Sequence, residues 1–185
     1  MQSLETPRLI LRRFVPADAA AMFRIYQDPE VMRFMGRGPA SVADEARHLE
    51  AQNTQRYPQG LGLLAIIEKS SRRLLGYCGL LQQALAGRTE LELSYLLARE
   101  AWGLGFASEA ACCLAGAWPS LRPEPRLVAL VHPENTASAR VAARAGFHRE
   151  GLVEFKSFGT VELHTRYRDR ARSCLAGHPP TPSLH

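Results

Sequence analysis

Gly103 and Gly105, in the run W-G-L-G-F-A, stand where a strand-like stretch gives way to one with helical spacing. The first N–H groups of a helix have no intrahelical partner, and aligned peptide dipoles place about half a positive charge there. Such a junction suits an anion, above all a phosphate. Leu104 to Ala107 would face that anion. A tight turn that needs positive φ accounts for the same two glycines without any ligand. Among phosphate loops, the G-x-x-x-x-G-K-[ST] type is excluded because Lys69 and Lys156, the chain's lysines, stand far off in sequence. In the dinucleotide fingerprint G-x-G-x-x-G, Ser108 would take the third glycine's place and Glu124 would follow about twenty residues on. That fingerprint belongs after the first strand of a parallel βαβ unit, whereas an antiparallel meander precedes it here.

Periodicity supplies the elements around this junction. Residues 8–14 (R-L-I-L-R-R-F) read as a short strand, and Pro16-Ala17-Asp18 opens a helix with Ala19, Met22, Phe23 and Tyr26 at helical spacing. Asp28-Pro29 breaks it, residues 29–35 form a further turn or two, and a third helical piece runs from Ser41 to Tyr57 behind the imperfect capping box Ser41-x-x-Asp44. From Leu61, three apolar runs separated by S-S-R-R and A-G-R-T predict a three-stranded meander. Its third strand alternates Glu90, Glu92 and Ser94 against Leu91, Leu93 and Tyr95. Phe106, Ala107, Ala110, Ala111 and Leu114 predict a helix that ends near Trp118, before Pro119. A strand over 126–131, a helix over 135–145 stopped by Gly146, and β-prone runs near 147–156 and 160–168 complete the pattern. One domain over residues 1–170 is expected, with residues 171–185 as a flexible tail.

Bulk composition bounds the function. The chain has 185 residues, 46% hydrophobic and 22% charged, which predicts one soluble folded domain. No run reaches the ~18 to 20 apolar residues of a membrane span, and the start M-Q-S-L-E-T-P-R lacks a signal-peptide layout, so a cytoplasmic protein is expected. Cys78, Cys112, Cys113 and Cys174 show neither C-x-x-C nor metal spacing; buried free thiols are expected, with no metal. The net charge of +5 is almost all arginine, scattered along the chain, so nucleic acid is not an expected partner.

The run E-L-S-Y-L-L-A-R-E-A-W-G-L-G-F-A-S-E-A (92–110), followed by N-T-A-S-A-R-V-A-A-R-A-G-F (135–147), resembles the GNAT acetyltransferases, specifically the ribosomal-protein N-terminal (Rim-type) branch. The opening L-E-T-P-R-L-I-L-R-R-F-V-P-A-D is similar to that branch as well, and the matching pieces extend from about residue 4 to 168 in the family's order and spacing. The resemblance implies an α/β (α+β) GNAT fold, a mixed, mostly antiparallel central sheet of about six to seven strands flanked by about four to five helices. It also implies acetyl-coenzyme A as co-substrate, an amine as acceptor, and a monomer or homodimer.

Roles follow from the same resemblance, residue by residue. Leu96 and Leu97 would offer backbone groups to the pantetheine arm and the thioester carbonyl. Trp102, Gly103, Leu104, Gly105, Phe106 and Ala107 would hold the pyrophosphate through their amides. Asn135 would bond the pantetheine region, cap the helix, or do both, and Ser138 lies one helical turn on. Arg140 and Arg144 are candidates for the 3′-phosphate, or form a solvated helix face. Glu92 is the candidate general base, acting through a water; an exposed polar residue on a half-buried strand is the plainer reading. The family's usual proton-donating tyrosine falls at Ala142, which leaves Ser138 as the candidate to meet the departing thiolate, with water as the fallback. Glu100 stands where the family often has Gln or Arg, and near a phosphate it should point away. Asp28, Glu30 and Met35 are candidates for the acceptor groove. His132 and His164 are read as structural. The acceptor is a protein N-terminal α-amine or a small amine such as a polyamine, amino acid or aminoglycoside. A non-catalytic acyl-coenzyme A sensor is the rival.

Overall fold

A computed structural model describes residues 3–36 and 38–168. The expected tail and Cys174 lie outside the described residues. The sheet is built from β1 (Leu4–Glu5), β2 (Leu9–Arg12), β3 (Gly62–Glu68), β4 (Leu74–Leu85), β5 (Arg88–Leu97), β6 (Arg126–Val131), β7 (His148–Glu154) and β8 (Thr160–Tyr167). Their spatial order is β1-β2-β3-β4-β5-β6-β8-β7, antiparallel throughout except for the parallel pair β5 and β6. This is the mixed, mostly antiparallel sheet the sequence predicts, with eight strands instead of six or seven. The extra strand is β1, two residues long, which has no periodicity to read.

Five helices flank the sheet: α1 (Ala19–Tyr26), α2 (Pro29–Met32), α3 (Val42–Ala51), α4 (Phe106–Leu121) and α5 (Thr136–Arg144). The Ser41 cap stands as expected, its side chain accepting the Asp44 amide, and Asp28, expected as a breaker of the preceding helix, also caps α2 by accepting the Glu30 amide. The third helical piece is broken, because α3 passes into a π-helical turn over Gln52–Arg56. Pro119 lies inside α4 and does not stop it. The missing proline N–H costs one bond, and the ladder resumes with the Arg122 amide on the Trp118 carbonyl, so the helix gains a last turn.

The alternation of each strand sorts the core into two layers. On one face Leu9, Leu11, Leu64, Ile66, Cys78, Leu80, Leu91 and Leu93 pack under α4, whose Ala110, Ala111 and Ala115 bring helix and sheet close. On the other face Ala65, Ile67, Tyr77 and Leu96 lie under Ala19, Met22 and Ile25 of α1 and Leu49 of α3. A smaller cluster of Val128, Phe155, Val161 and Leu163 covers part of that second face with the β7–β8 hairpin. Both faces are therefore covered, and Glu90 and Glu92 are buried at 7% and 8% exposure, against the half-exposed strand their alternation suggested. Cys78 is buried, but Cys112 is exposed on α4 and Cys113 is intermediate; all three are free thiols. No helix of the described residues is long and apolar enough to cross a membrane.

Candidate functional site

The one parallel pairing is also the shortest register in the sheet. β5 and β6 register at a single pair, Glu92 with Val128, and the β5 residues beyond it, Tyr95 to Leu97, border a cleft instead of pairing with β6. The direction of the β5 backbone beyond that point is fixed by its other neighbour. The Ala98 amide bonds the Leu75 carbonyl of β4, and backbone groups alternate sides along a strand, so Leu96 also turns its N–H and C=O toward β4. The Leu96 carbonyl lies so close there that a Cβ on Gly76 would stand 2.0 Å from it. Tyr95 and Leu97 thus face the gap with their backbones, whereas Leu96 borders it with its side chain. Of these groups the Leu97 carbonyl is already taken, by the Trp102 indole N–H at 2.9 Å.

The gap opens into a cleft of about 430 Å³, within the range of small-molecule sites. Leu96, Leu97, Trp102, Gly103, Gly105 and Ala107 line it from one side, and Asn135, Ser138 and Arg140 from the other. Leu104 and Phe106 do not. The Leu104 side chain is 55% exposed, and that of Phe106 is buried in the main core. Backbone geometry explains the two glycines first: φ is +74° at Gly103 and +82° at Gly105, the latter capping α4. Both readings of the sequence meet here, since this turn also leaves the amides of residues 103 to 108 without a backbone partner among the described residues. A Cβ on Gly103 would meet no protein atom within 4 Å.

A clamp that the sequence did not disclose holds this loop. Glu109, in the first turn of α4, accepts the Thr6 hydroxyl at 2.5 Å, the Arg8 amide at 2.9 Å and the Arg8 Nε at 2.6 Å. Arg8 also donates to the Leu104 carbonyl at 2.9 Å and lies over the Phe106 ring. Burial alone would push the Glu109 carboxyl up, but the Thr6 hydroxyl and the Arg8 amide and guanidinium hold it below its ordinary value. A carboxylate near the positive end of a helix gains from the dipole as well. Glu100 points away from the loop as expected, toward Arg73 at 2.9 Å.

Across the cleft, Asn135 caps α5, its side-chain oxygen accepting the Ser138 amide at 3.0 Å. The remaining NH₂ of Asn135 is the donor available to a ligand. Arg140 and Arg144 are exposed, and both line the cleft. The Ser138 hydroxyl lies 2.9 Å from the hydroxyl of Tyr95, which reaches across the split from β5. Sequence reasoning passed over Tyr95, reading it as one residue of an apolar face. Ala142 is fully buried and supplies no hydroxyl.

Glu92 stands at the fork itself and is not among the residues that line the cleft. Burial pushes its carboxyl above the ordinary value, offset in part by a hydrogen bond from Gln83 and by the charge of Lys156. Lys156 in turn donates to Gln83 at 2.6 Å. On the same face Tyr77 bonds Ser94. At the acceptor end, Glu30 and Met35 line the cleft, whereas Asp28 borders a separate hollow and is held by Arg99 at 3.0 Å. Residues 33 and 34 bridge to the far wall, Arg33 to Glu134 at 3.5 Å and Phe34 to the His132 ring at 4.9 Å. His132 and His164 have structural partners: His132 Nδ1 accepts the Glu134 amide, and His164 meets Glu162. Among the described residues no cluster of His, Cys, Asp or Glu is arranged to hold a metal ion.

Residues 8–148 match the acetyltransferase (GNAT) domain. The chain is 34% identical over 149 residues to the uncharacterized protein YkkB of Bacillus subtilis, covering 78% of this chain and 84% of that one. It is 33% identical over 156 residues to the uncharacterized N-acetyltransferase p20 of Bacillus licheniformis, covering 83% and 86%. Among solved structures, an acetyltransferase from Agrobacterium tumefaciens superposes with a TM-score of 0.73 at 26% identity, over 91% of this chain and 95% of that one. RimL, a ribosomal L7/L12 alpha-N-protein acetyltransferase in complex with coenzyme A, superposes with a TM-score of 0.73 at 16% identity, over 89% and 96%.

Proposed function

This chain belongs to the GNAT acetyltransferase family, and from that premise we propose that it acetylates protein N-terminal α-amines with acetyl-coenzyme A. The observation that carries the reading is the fork between β5 and β6, which opens beside the unpartnered amides that begin α4. The residues present fit the co-substrate: the amides of residues 103 to 108 suit a diphosphate, the gap-facing backbone of Tyr95 and Leu97 suits an amide-bearing arm, and Arg140 suits a terminal phosphate. Acetyl-coenzyme A supplies an activated acyl group, and the chain's own residues do the rest.

In this reading residues 103 to 108 hold the diphosphate through main-chain N–H groups, without Trp102, whose amide the Arg99 carbonyl takes; Asn135 donates to the pantetheine arm, and Leu96 packs against it. The acceptor must be neutral to attack. Glu92 takes its proton through a water, and burial makes that carboxylate a stronger base than an exposed one. Ser138 donates a hydrogen bond to the leaving sulfur, in the role that Ala142 cannot fill.

Two considerations favour an α-amine. An α-amino group has a pKa near ~8 and lysine ~10.4, so about two orders of magnitude more of the former is neutral at pH 7. The likeness in fold to RimL, whose name states an alpha-N-protein substrate, points the same way. Thiol release from acetyl-coenzyme A, measured with N-terminal peptides, lysine side-chain peptides, polyamines and aminoglycosides, tests it. Peptides with free α-amines should react about a hundredfold faster than the same peptides with only a lysine amine. Release with a small amine and none with any peptide would move the chain to small-molecule acetylation. Binding of acetyl-coenzyme A with no release on any acceptor would make it a sensor.

A further inference from the structure

We propose that Tyr95 is a positioning residue that aims the Ser138 hydroxyl at the departing sulfur, a pairing that replaces the proton-donating tyrosine absent at position 142. The inference rests on the acetyl-transfer reading above. Tyr95 stands on β5 beyond the fork, and Ser138 stands in the first turns of α5 on the opposite wall. The Tyr95 hydroxyl can donate to the Ser138 carbonyl at 2.9 Å and lies 2.9 Å from its Oγ, where either hydroxyl can be the donor; both residues line the cleft. It is a side-chain bridge across the split near the place where β5 and α5 approach the ligand.

The proton count decides what the pair can do. A phenol has one proton to give. Donated to the Ser138 carbonyl, it leaves the phenol oxygen to accept the serine's proton; turned to Oγ once a thiolate draws on Ser138, it makes the serine oxygen an acceptor and leaves the serine's own proton free to point into the cleft. Without the phenol, a helical serine turns its hydroxyl back onto a carbonyl three or four residues earlier. When the amine nitrogen bonds to the acetyl carbon, the C–S bond breaks and its electron pair stays on sulfur. The proton shed by nitrogen leaves by way of Glu92. A thiol ionises near pKa ~8.5, far below an aliphatic hydroxyl, so Ser138 stabilises the thiolate by a hydrogen bond and keeps its proton. Tyr95 keeps its proton too, because burial pushes its pKa well above the ordinary phenol value, against a smaller opposing effect of Ser138. Tyr95 therefore orients; it does not relay.

The direct readout is the ionisation of coenzyme A bound to the protein, followed by the ultraviolet absorbance of the thiolate. It needs no acceptor. Tyr95→Phe should raise the pKa of the bound thiol by about 0.5 to 1 unit, the worth of one neutral hydrogen bond. Ser138→Ala should do the same, and the double variant should go no further than Ser138→Ala alone, because both remove one unit. With an acceptor, Tyr95→Phe should lower kcat about tenfold and leave the KM for acetyl-coenzyme A within about twofold. A thiol pKa lowered in Tyr95→Phe, as it would be if the phenol held the Ser138 carbonyl and took the serine's proton, a pKa unchanged, or shifts that add in the double variant would overturn the pairing while leaving acetyl transfer intact. Failure of the wild-type chain to bind coenzyme A would instead remove the reading beneath it. Thermal melting separates a folding defect, and Tyr95→Trp, which keeps bulk but moves the donor, should behave as Tyr95→Phe.

Discussion

Glu92→Gln is expected to cut turnover by about two orders of magnitude or more, the usual contribution of a general base, while coenzyme A binds within about twofold of the wild type. Gln is the same shape and carries no basic oxygen pair, and Glu92 lies at the fork, away from the residues that line the cleft. The same substitution should make the protein more stable at neutral pH. Burial raises the carboxyl's pKa in the folded chain. Between the ordinary value and that raised value the folded state holds a proton that the unfolded state has lost, so stability falls as pH climbs through the window and stays lower above it. Glutamine removes that loss, so the melting temperatures of the two proteins should converge in acid and separate at neutral pH. The wild-type rate should also fall on the acid side with a midpoint above the ordinary carboxylate range. Unchanged turnover in Glu92→Gln would take the residue out of the mechanism. A stability gain without a rate loss would leave it a buried structural charge.

Gly105→Val is expected to weaken coenzyme A binding by more than a hundredfold, the second large effect. Two costs add. At φ +82° a β-branched residue is strained, worth roughly 1 to 3 kcal/mol, and the added side chain stands among amides that must meet a diphosphate. Its Cβ would already touch Arg8, at 3.4 Å from the guanidinium that fixes the loop. Gly87→Val separates the two costs. Gly87 has φ +75° with nothing within 4 Å of a Cβ, in the β4–β5 turn and outside the cleft. It should lose comparable stability and keep full affinity. Isothermal titration of both variants with coenzyme A reads the difference directly; normal binding by a folded Gly105→Val would mean that the loop does not hold the diphosphate.

The parts of this fold that repeat were legible in the sequence, and the parts that depend on one contact were not. The three-stranded meander, the alanine-rich face of α4 and the cap at Asn135 each arise from local pattern, and all three stand where expected. The two-residue β1 carries no period. The fork rests on a single parallel pair, Glu92 with Val128, which brings together segments with a whole helix between them. The clamp of Thr6 and Arg8 on Glu109 spans about a hundred residues of chain, beyond any motif spacing. Alternation separated the glutamates from the leucines of β5 correctly, but it could not show that α1, α3 and the β7–β8 hairpin cover the glutamate face too. The same limit hid Tyr95: its place in the apolar row with Leu91 and Leu93 is visible in the sequence, while its hydroxyl's partner, 43 residues on, belongs to tertiary structure. Backbone direction moved one assignment, since strand pairing turns Leu96 toward β4 and leaves Tyr95 and Leu97 facing the gap.

The most direct measurement is a crystal structure of the chain grown with coenzyme A. It should show the diphosphate against the amides of residues 103 to 108, the pantetheine arm laid between β5 and β6 beside Tyr95 and Leu97, and the sulfur within hydrogen-bonding reach of Ser138. Coenzyme A bound elsewhere, with the Trp102–Ala107 loop touching no phosphate, would contradict the account at its base.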